Sequence, residues 1–439
     1  MESIWRATCT MPSFPVLDSD IHAVAAVIGG GMTGLLTAYF LQKHGLRTVV
    51  LEAETICSGQ TDGTTAKITA GQGLCYTRLK NDWGNETAAQ YAQAAQAAIE
   101  AYAQLIGSEA IDCDFVRCAH YLYSTSDPEN MRREAEAASQ AGLSARFTQD
   151  TELPFPVAGA VCFPDQARFH PLRFLRALAS QLTIYEHTRV TEVSGEQIRT
   201  ERFTVNARHI IFACHYPFIN RPGYYFLRMH QVRSYVLALT HAPSMEHMYW
   251  SADGGGCSLR PAGDYLLLGG GSHRTGENRN GGHYEHLRQR AAEWWPDAEP
   301  VCQWSAQDCI TIDGLPYIGR YSKETPNWYT ATGYRKWGMT GAMTAATRLC
   351  AMILGQDTAS TSLFSPERFS LSPAASAMLT DGLEAVKALA RPWFEPSRAP
   401  LSELPEEHGG IVECQTGKAA GSKNAAGHDS IHACRCSNL

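Results

Sequence analysis

The sequence predicts an α/β protein in which a doubly wound nucleotide-binding domain is interleaved with an antiparallel-sheet domain. Three observations predict it. The stretch VIGGGMTG, Val27 to Gly34, sets G-x-G-x-x-G between a short apolar run and a helical pattern. A second apolar run, Thr48 to Leu51, follows and completes a Rossmann-like β-α-β unit. The middle of the chain changes period, from helix-and-strand alternation to short two-residue alternation broken by turn residues.

Taken in order, Ala23 to Ile28 reads as a buried strand and Gly34 to His44 as a helix with Leu35, Leu36, Phe40 and Leu41 apolar. After the strand Thr48 to Leu51 comes a Gly/Thr-rich loop, SGQTDGTTAKITAGQG. Glu86 to Ile106 is an Ala-rich helix; Pro128 to Ala141 is another, with proline in its first turn. Ile184 to Val205 suggests hairpins that lead into HIIFACHYPF, a strand ending in a loop. Leu227 to Leu239 and CSLRPAGDYLLLGGGS read as antiparallel strands. A helix from His283 to Trp295, the segment DGLPYIG, a strand NWYTAT and a helix from about Met339 to Leu354 close the core.

The composition of the 439 residues, 44% hydrophobic and 18% charged, is that of an ordinary globular chain. A formal charge of −7 argues against a general nucleic-acid or anionic-membrane surface. No run is apolar enough to span a bilayer, and the N-terminus lacks the apolar core of a secretory signal. A cytoplasmic protein with neither nucleic-acid nor membrane partner is expected. The fourteen cysteines are scattered without a C-x-x-C pair, as expected of reduced, buried thiols. No G-x-S-x-G or H-E-x-x-H motif supports hydrolase chemistry.

In the glycine turn, Gly29 permits the tight bend, Gly31 lets backbone approach a pyrophosphate, and Gly34 lets helix pack on strand. The helix N-terminus supplies N–H groups and partial positive charge to the anion. Glu52 ends the second strand, where a carboxylate accepts from a ribose 2′-hydroxyl and repels a 2′-phosphate. An adenine dinucleotide follows, FAD or NAD rather than NADP. Gly-rich segments at 59–73, 269–276 and 333–341 favour a ligand that spans more than one domain.

Those segments carry a resemblance. VIGGGMTGLLTAYFLQKHGLRTVVLEA, IIFACHYP, DGLPYIG and YTATGYRKWGMTGAMTAA resemble the D-amino-acid oxidase/glycine oxidase/sarcosine oxidase superfamily of FAD-dependent oxidoreductases, over about residues 20 to 365. GQTDGTTAKIT and GYRKWGMT look closer to a bacterial subgroup with a C-terminal Rieske domain. The resemblance implies an FAD-binding domain from residues 20–80, 151–225 and 300–365, and a substrate domain from 81–150 and 226–299. Residues 366–400 would be a connector and 401–439 a truncated Rieske-like tail.

It also implies contacts. Gly29, Gly31, Met32, Thr33 and Gly34 would meet the pyrophosphate, and Glu52 and Ala53 the adenosine ribose. Thr61, Thr64 and Thr65 would pass near the pyrophosphate and flavin, and Val190 would pack on adenine. Ala213 and Cys214 would end the strand beneath the FAD. Asp313, Gly314 and Ile318 would line the flavin end, and Gly333, Tyr334, Trp337, Gly338, Met339 and Thr340 would wrap the isoalloxazine. The helix opening near Met339 would direct its N-terminal dipole at the flavin edge that gains negative charge on reduction, with Arg335 and Lys336 adding charge.

The implied reaction takes hydride from a carbon beside nitrogen, in an amine or amino-acid-like substrate, to flavin N5, with O₂ or another acceptor reoxidising the flavin. Lys336, His273 and Arg260 are the candidate catalytic groups; Arg233 and Arg274 are further carboxylate partners, and Tyr121 a further polar group. Asp308 and Cys309 fall where glycine oxidase-like enzymes carry a carboxylate-binding Arg. An acid there favours a cationic amine. Cys309 is expected to be a buried free thiol and the FAD non-covalent, with a flavin tether at Cys309 as the alternative. An NAD-dependent dehydrogenase and a non-catalytic, redox-sensing FAD scaffold are the alternatives.

In the tail, Cys436-Ser437-Asn438 stands where a Rieske domain has its first Cys-x-His pair, with Asn in place of His, and the later pair is absent. No iron–sulfur cluster and no metal site are expected, although His428, His432, Cys434 and Cys436 could bind adventitious zinc. Half of a small β-domain buries little core, so poor order is expected there.

Overall fold

The computed structural model describes residues 2–276, 281–356 and 363–368, and beyond them the backbone of three strands. A one-turn helix α1 (Ile4–Ala7) precedes β1 (Ile21–Ile28), α2 (Met32–Lys43) and β2 (Thr48–Leu51). β1 and β2 run parallel. Ala25, Ala26 and Val27 are fully buried, because both faces of a parallel sheet are covered. The helix starts at Met32, ahead of the expected Gly34, since the glycine turn ends at Gly31.

β3 (Lys67–Ile68), α3 (Cys75–Trp83), α4 (Asn85–Ser108), β4 (Val116–Ser124), α5 (Pro128–Gln140), β5 (Arg146–Thr148), β6 (Gly159–Arg168) and α6 (Pro171–Ala179) follow. α5 is capped by Asp127, which accepts from Asn130 N, and α6 by His170, whose Nδ1 accepts from Arg173 N at 3.2 Å; proline opens both. Next come β7 (Thr183–Tyr185), β8 (Val190–Ser194), β9 (Gln197–Thr200) and β10 (Thr204–Phe212). The antiparallel stretch holds β11 (Met229–Thr240), β12 (Met248–Ser251), β13 (Ser258–Ala262) and β14 (Tyr265–Arg274). α7 (His283–Trp294), β15 (Glu299–Thr311), β16 (Tyr317–Ser322), β17 (Thr325–Thr332) and α8 (Gly338–Ile353) complete the core.

The first sheet has the order β16-β17-β10-β1-β2-β7, with the β8-β9 hairpin hydrogen-bonded to β10. β17, β10, β1, β2 and β7 are parallel, so their C-terminal ends share one edge. The second sheet runs β15-β11-β14-β13-β12-β4-β6-β3, with β5 on β6. Its pairs are antiparallel except β12 with β4.

Three strands depart from the expected division. β3 lies within residues 20–80, β6 within 151–225 and β15, from its second residue on, within 300–365, yet all three belong to the second sheet. β15 follows β11 from Met229↔Thr311 to Thr240↔Glu299, a long pairing that its mixed polar sequence does not announce. α4, within residues 81–150, packs on α8: Tyr102 Oη donates to Met339 O at 2.9 Å.

Further on, β18 (Gly409–Cys414), β19 (Gly417–Lys423) and β20 (Asp429–Ala433) form an antiparallel sheet in that order. The expectations for His428, Cys434, Cys436 and residues 369–400 lie outside the described residues, as does that for the His432 side chain.

Candidate functional site

A cavity of about 860 Å³ opens at the C-terminal ends of the parallel strands. Ile28 ends β1, Leu51 ends β2, Ala213 follows β10, Ala331 lies near the end of β17, and all four line it. This edge, where crossovers leave a crevice, is where open α/β sheets bind ligands.

The glycine turn forms one wall. A Cβ on Gly34 would stand 1.9 Å from Gly29 O, and one on Gly29 would stand 2.6 Å from Ala213 O. Only glycine allows strand, turn and helix to close this tightly. A Cβ on Gly31 would meet only Thr61 Oγ1, at 3.1 Å, because that residue faces the cavity. The exposed backbone at the N-terminus of α2 therefore fits the pyrophosphate of a dinucleotide, and the cavity has the size of a cofactor site.

The loop from Glu52 to Thr65 forms the second wall. Glu52 Oε2 accepts from Gly30 N at 2.7 Å and Oε1 from Glu54 N at 2.9 Å, which orients a carboxylate that still has lone pairs to accept from a ribose. Thr61 Oγ1 accepts from Met32 N at 2.9 Å and ties the loop to the first turn of α2. Val190 lines the same end, beside Thr188.

At the opposite end the N-terminus of α8 meets the second sheet. Gly338 and Met339 line the cavity, and no side chain caps this helix, so its first-turn amides face the site. Tyr334 Oη and Thr33 Oγ1 lie 3.1 Å apart and link the two helix N-termini. Lys336 Nζ donates to Ser234 Oγ at 2.8 Å and to Asp308 Oδ2 at 3.3 Å. The Asp308 and Lys336 side chains are 22% and 23% exposed, and both line the cavity. Burial pushes the Asp308 carboxyl above its ordinary range, and Lys336 offsets part of that rise. Cys309 Sγ lies 3.3 Å from His215 Nε2. Burial pushes that thiol up to about 12 and the His215 imidazole down to about 4, so both are neutral near pH 7.

The expected site residues thus divide. Gly29, Gly31, Met32, Thr33, Glu52, Ala53, Thr61, Thr64, Val190, Ala213, Cys214, Tyr334, Gly338, Met339 and Lys336 line the cavity, together with Asp308 and Cys309. Gly34 does not line it and serves the packing of α2, as its place in the glycine turn implies. Thr65, Asp313, Gly314, Ile318, Gly333, Trp337 and Thr340 do not line the cavity. Asp313 is held by Arg368, with Nε to Oδ2 at 2.7 Å and Nη2 to Oδ1 at 2.9 Å, and Gly314 O accepts from Arg78. Ile318, Trp337 and Thr340 border a separate small cavity of about 20 Å³.

Two of the three candidate catalytic groups do not reach the main cavity. Arg260 is 1% exposed, and its Nη atoms donate to Thr65 O and Phe169 O, each at 2.8 Å. Both Nη groups are spent on backbone carbonyls, and its Nε has no hydrogen-bond partner among the described residues. His273 stacks on His283 with ring centroids 4.8 Å apart, and its Nε2 lies 3.1 Å from Tyr235 Oη, in a cluster between the second sheet and α7. Arg233 is likewise engaged, by Ser305 and Gln307. Asp308 does not stand as a bare acid, because Lys336 neutralises it. Sequence reasoning missed His215, although its place just past the end of β10 was a usable signal. It also missed Ser234, which only the Ser234↔Ala306 register of β11 and β15 brings to Lys336. Among the described residues no group of three or more His, Cys, Asp or Glu is placed to hold a metal ion, and no helix is long and apolar enough to cross a membrane.

Comparison with known proteins agrees with this geometry. The model of the FAD dependent oxidoreductase family matches residues 25–352. A Bacillus subtilis (strain 168) protein named for a Rieske 2Fe-2S iron-sulfur centre, YhfW, is 33% identical over 445 residues, covering 97% of this chain and 87% of that one. Among solved structures, glycine oxidase from Geobacillus kaustophilus superposes with a TM-score of 0.67 at 21% identity, over 80% of this chain and 99% of that one. L-Amino acid deaminase from Proteus myxofaciens gives 0.66 at 17%, over 84% and 98%.

Proposed function

This chain belongs to the FAD dependent oxidoreductase family, and from that premise we propose that it oxidises the C–N bond of an amine or amino-acid-like substrate. The NAD-dependent alternative is set aside by the family match. The observation that carries the proposal is a cavity with a nucleotide-binding turn at one end and the Lys336–Asp308–Ser234 cluster at the other. The fold is shared with a glycine oxidase and an L-amino acid deaminase, which supports a nitrogen-bearing substrate. The FAD, when bound, supplies the hydride acceptor.

The chain's own groups would do the rest. Gly29, Gly31 and the first turn of α2 would hold the pyrophosphate, and Glu52 the ribose. The uncapped N-terminus of α8 at Gly338 and Met339 would direct partial positive charge at the reacting end of the cofactor. Lys336 and Asp308 present one cation and one anion to the cavity, so a substrate carboxylate or ammonium each finds an opposite charge there. Ala306, Asp308 and Cys309 of β15 bring the second sheet to that end. The high pKa of the Cys309 thiol makes it a poor nucleophile, which supports a non-covalent cofactor.

The tail supports a finer proposal. The Rieske-named relative aligns with 97% of this chain, and β18, β19 and β20 form an antiparallel sheet beyond the family match. We infer kinship with the subgroup that couples this fold to a Rieske domain, and reoxidation by an electron acceptor as an alternative to O₂. The test is anaerobic mixing of the flavin-loaded protein with a panel of amines and amino acids. Bleaching of the visible flavin band by one of them is expected. A band that no member bleaches, although dithionite bleaches it, would contradict the catalytic proposal.

A further inference from the structure

The cavity's second wall has no helix or strand between Leu51 and Lys67. Cys57 and Ala66 within it adopt φ of 60° and 53°, a left-handed conformation that costs a non-glycine residue roughly 1–2 kcal/mol each. Such a loop keeps its shape only if other groups hold it. Gly30, Met32, Glu186, Trp304 and Gln307 hold part of it, and its Asp62–Thr64 stretch is held by the segment before Ile21, which precedes the residues matched by the family.

Ser3 Oγ donates to Asp62 Oδ1, and Arg6 Nε donates to Asp62 Oδ2 at 2.7 Å. The Arg6 and Asp62 side chains are 28% and 17% exposed, so water screens this pair incompletely. Trp5 Nε1 donates to Thr64 O at 2.7 Å. The Trp5 ring is buried between the Arg260 guanidinium and the His170 ring, each 5.0 Å away. Arg260 in turn holds the next carbonyl, Thr65 O. Farther along, Glu186 bridges segment and loop, accepting from Phe14 N at 2.9 Å and Ile56 N at 2.7 Å. Leu17 N donates to Thr188 Oγ1 at 3.1 Å, and Thr188 lines the cavity.

We propose that residues 3–17 form a strap that retains the cofactor. It latches the loop against the glycine turn through Asp62, Thr64 and Glu186, so the cofactor leaves only when the latch opens. The inference rests on the FAD reading above. Trp5, Arg6 and Ser3 are positioning residues, since none of them lines the cavity.

The test compares FAD release from the holoprotein with that from two variants, using a flavin-scavenging apoprotein to trap what leaves. Trp5→Phe keeps an aromatic side chain and removes the indole N–H; Arg6→Met keeps the stem and removes the charge. Each is expected to speed release about tenfold, which corresponds to about 1.4 kcal/mol. Each should lower the melting temperature of the holoprotein by more than that of the apoprotein. High salt should speed release from the wild type but not from Arg6→Met. Wild-type release rates in both variants, or equal losses in apo and holo melting temperature, would overturn the strap and leave the FAD reading intact. A wild-type protein that takes up no FAD would overturn both.

Discussion

At one end of the cavity, Gly29, Gly31, Met32 and Thr33 come from a single turn, and Glu52 follows at the end of the next strand. At the other end, Ser234, Asp308 and Lys336 come from β11, β15 and the loop before α8. On the proposed reading the first end would bind with backbone, so its requirements are steric and written in adjacent residues. The second would bind with side chains that meet only after two sheets have formed.

The contrast can be broken from either side, and the largest effect is expected at the turn. Gly34→Val places side-chain carbon against Gly29 O, where even a Cβ would stand at 1.9 Å. Loss of about 3 kcal/mol or more in urea unfolding is expected, together with loss of FAD uptake. A variant that folds normally and binds FAD would show the turn to be softer than its geometry.

At the other end, Lys336→Met should leave FAD content unchanged and lower kcat/KM about 100-fold, or about 2.7 kcal/mol. It also leaves Asp308 half-buried without its cation, at a cost of roughly 1–3 kcal/mol in stability. Adding Asp308→Asn should restore most of that stability and little of the activity. A double-mutant cycle without coupling would separate the two residues functionally.

A further effect is expected from pH. Burial lowers His120 to about 3, and His170 and His215 to about 4; the charges of Lys67 on His120 and of Arg173 on His170 add to it. An unfolded imidazole takes its proton at about 6.5. Between about pH 6.5 and 4 the unfolded chain binds more protons than the folded one, so stability falls as pH falls through that window. Urea midpoints measured across it should drop, and His215→Gln should flatten the slope. An unchanged midpoint from pH 6.5 to 4 would contradict the buried neutral state of all three. The smallest effect is expected for Cys309→Ala, which should leave flavin release by acid as it is in the wild type.

This contrast also explains what could be read from the sequence. The strand, turn and helix from Ile21 to Lys43 were legible because local packing dictates each glycine. The lining of the cavity by Tyr334, Gly338 and Met339 was legible through the resemblance, since those residues adjoin in sequence. Arg260 and His273 drew attention by residue type, but type does not reveal what a side chain already bonds. Arg260 is occupied by Thr65 O and Phe169 O, contacts across large sequence separations. β15 escaped because its pairing with β11, not its own alternation, makes it a strand. The strap escaped for the same reason: Trp5 and Arg6 look like an ordinary terminus until Thr64 and Asp62 are seen beside them.

The central claim is that the cavity built on VIGGGMTG holds FAD. The most direct measurement is the visible absorption spectrum of the purified protein, before and after acid precipitation. The account predicts flavin bands in the native protein, passing into the supernatant with acid. A colourless protein that takes up no FAD on reconstitution would contradict it.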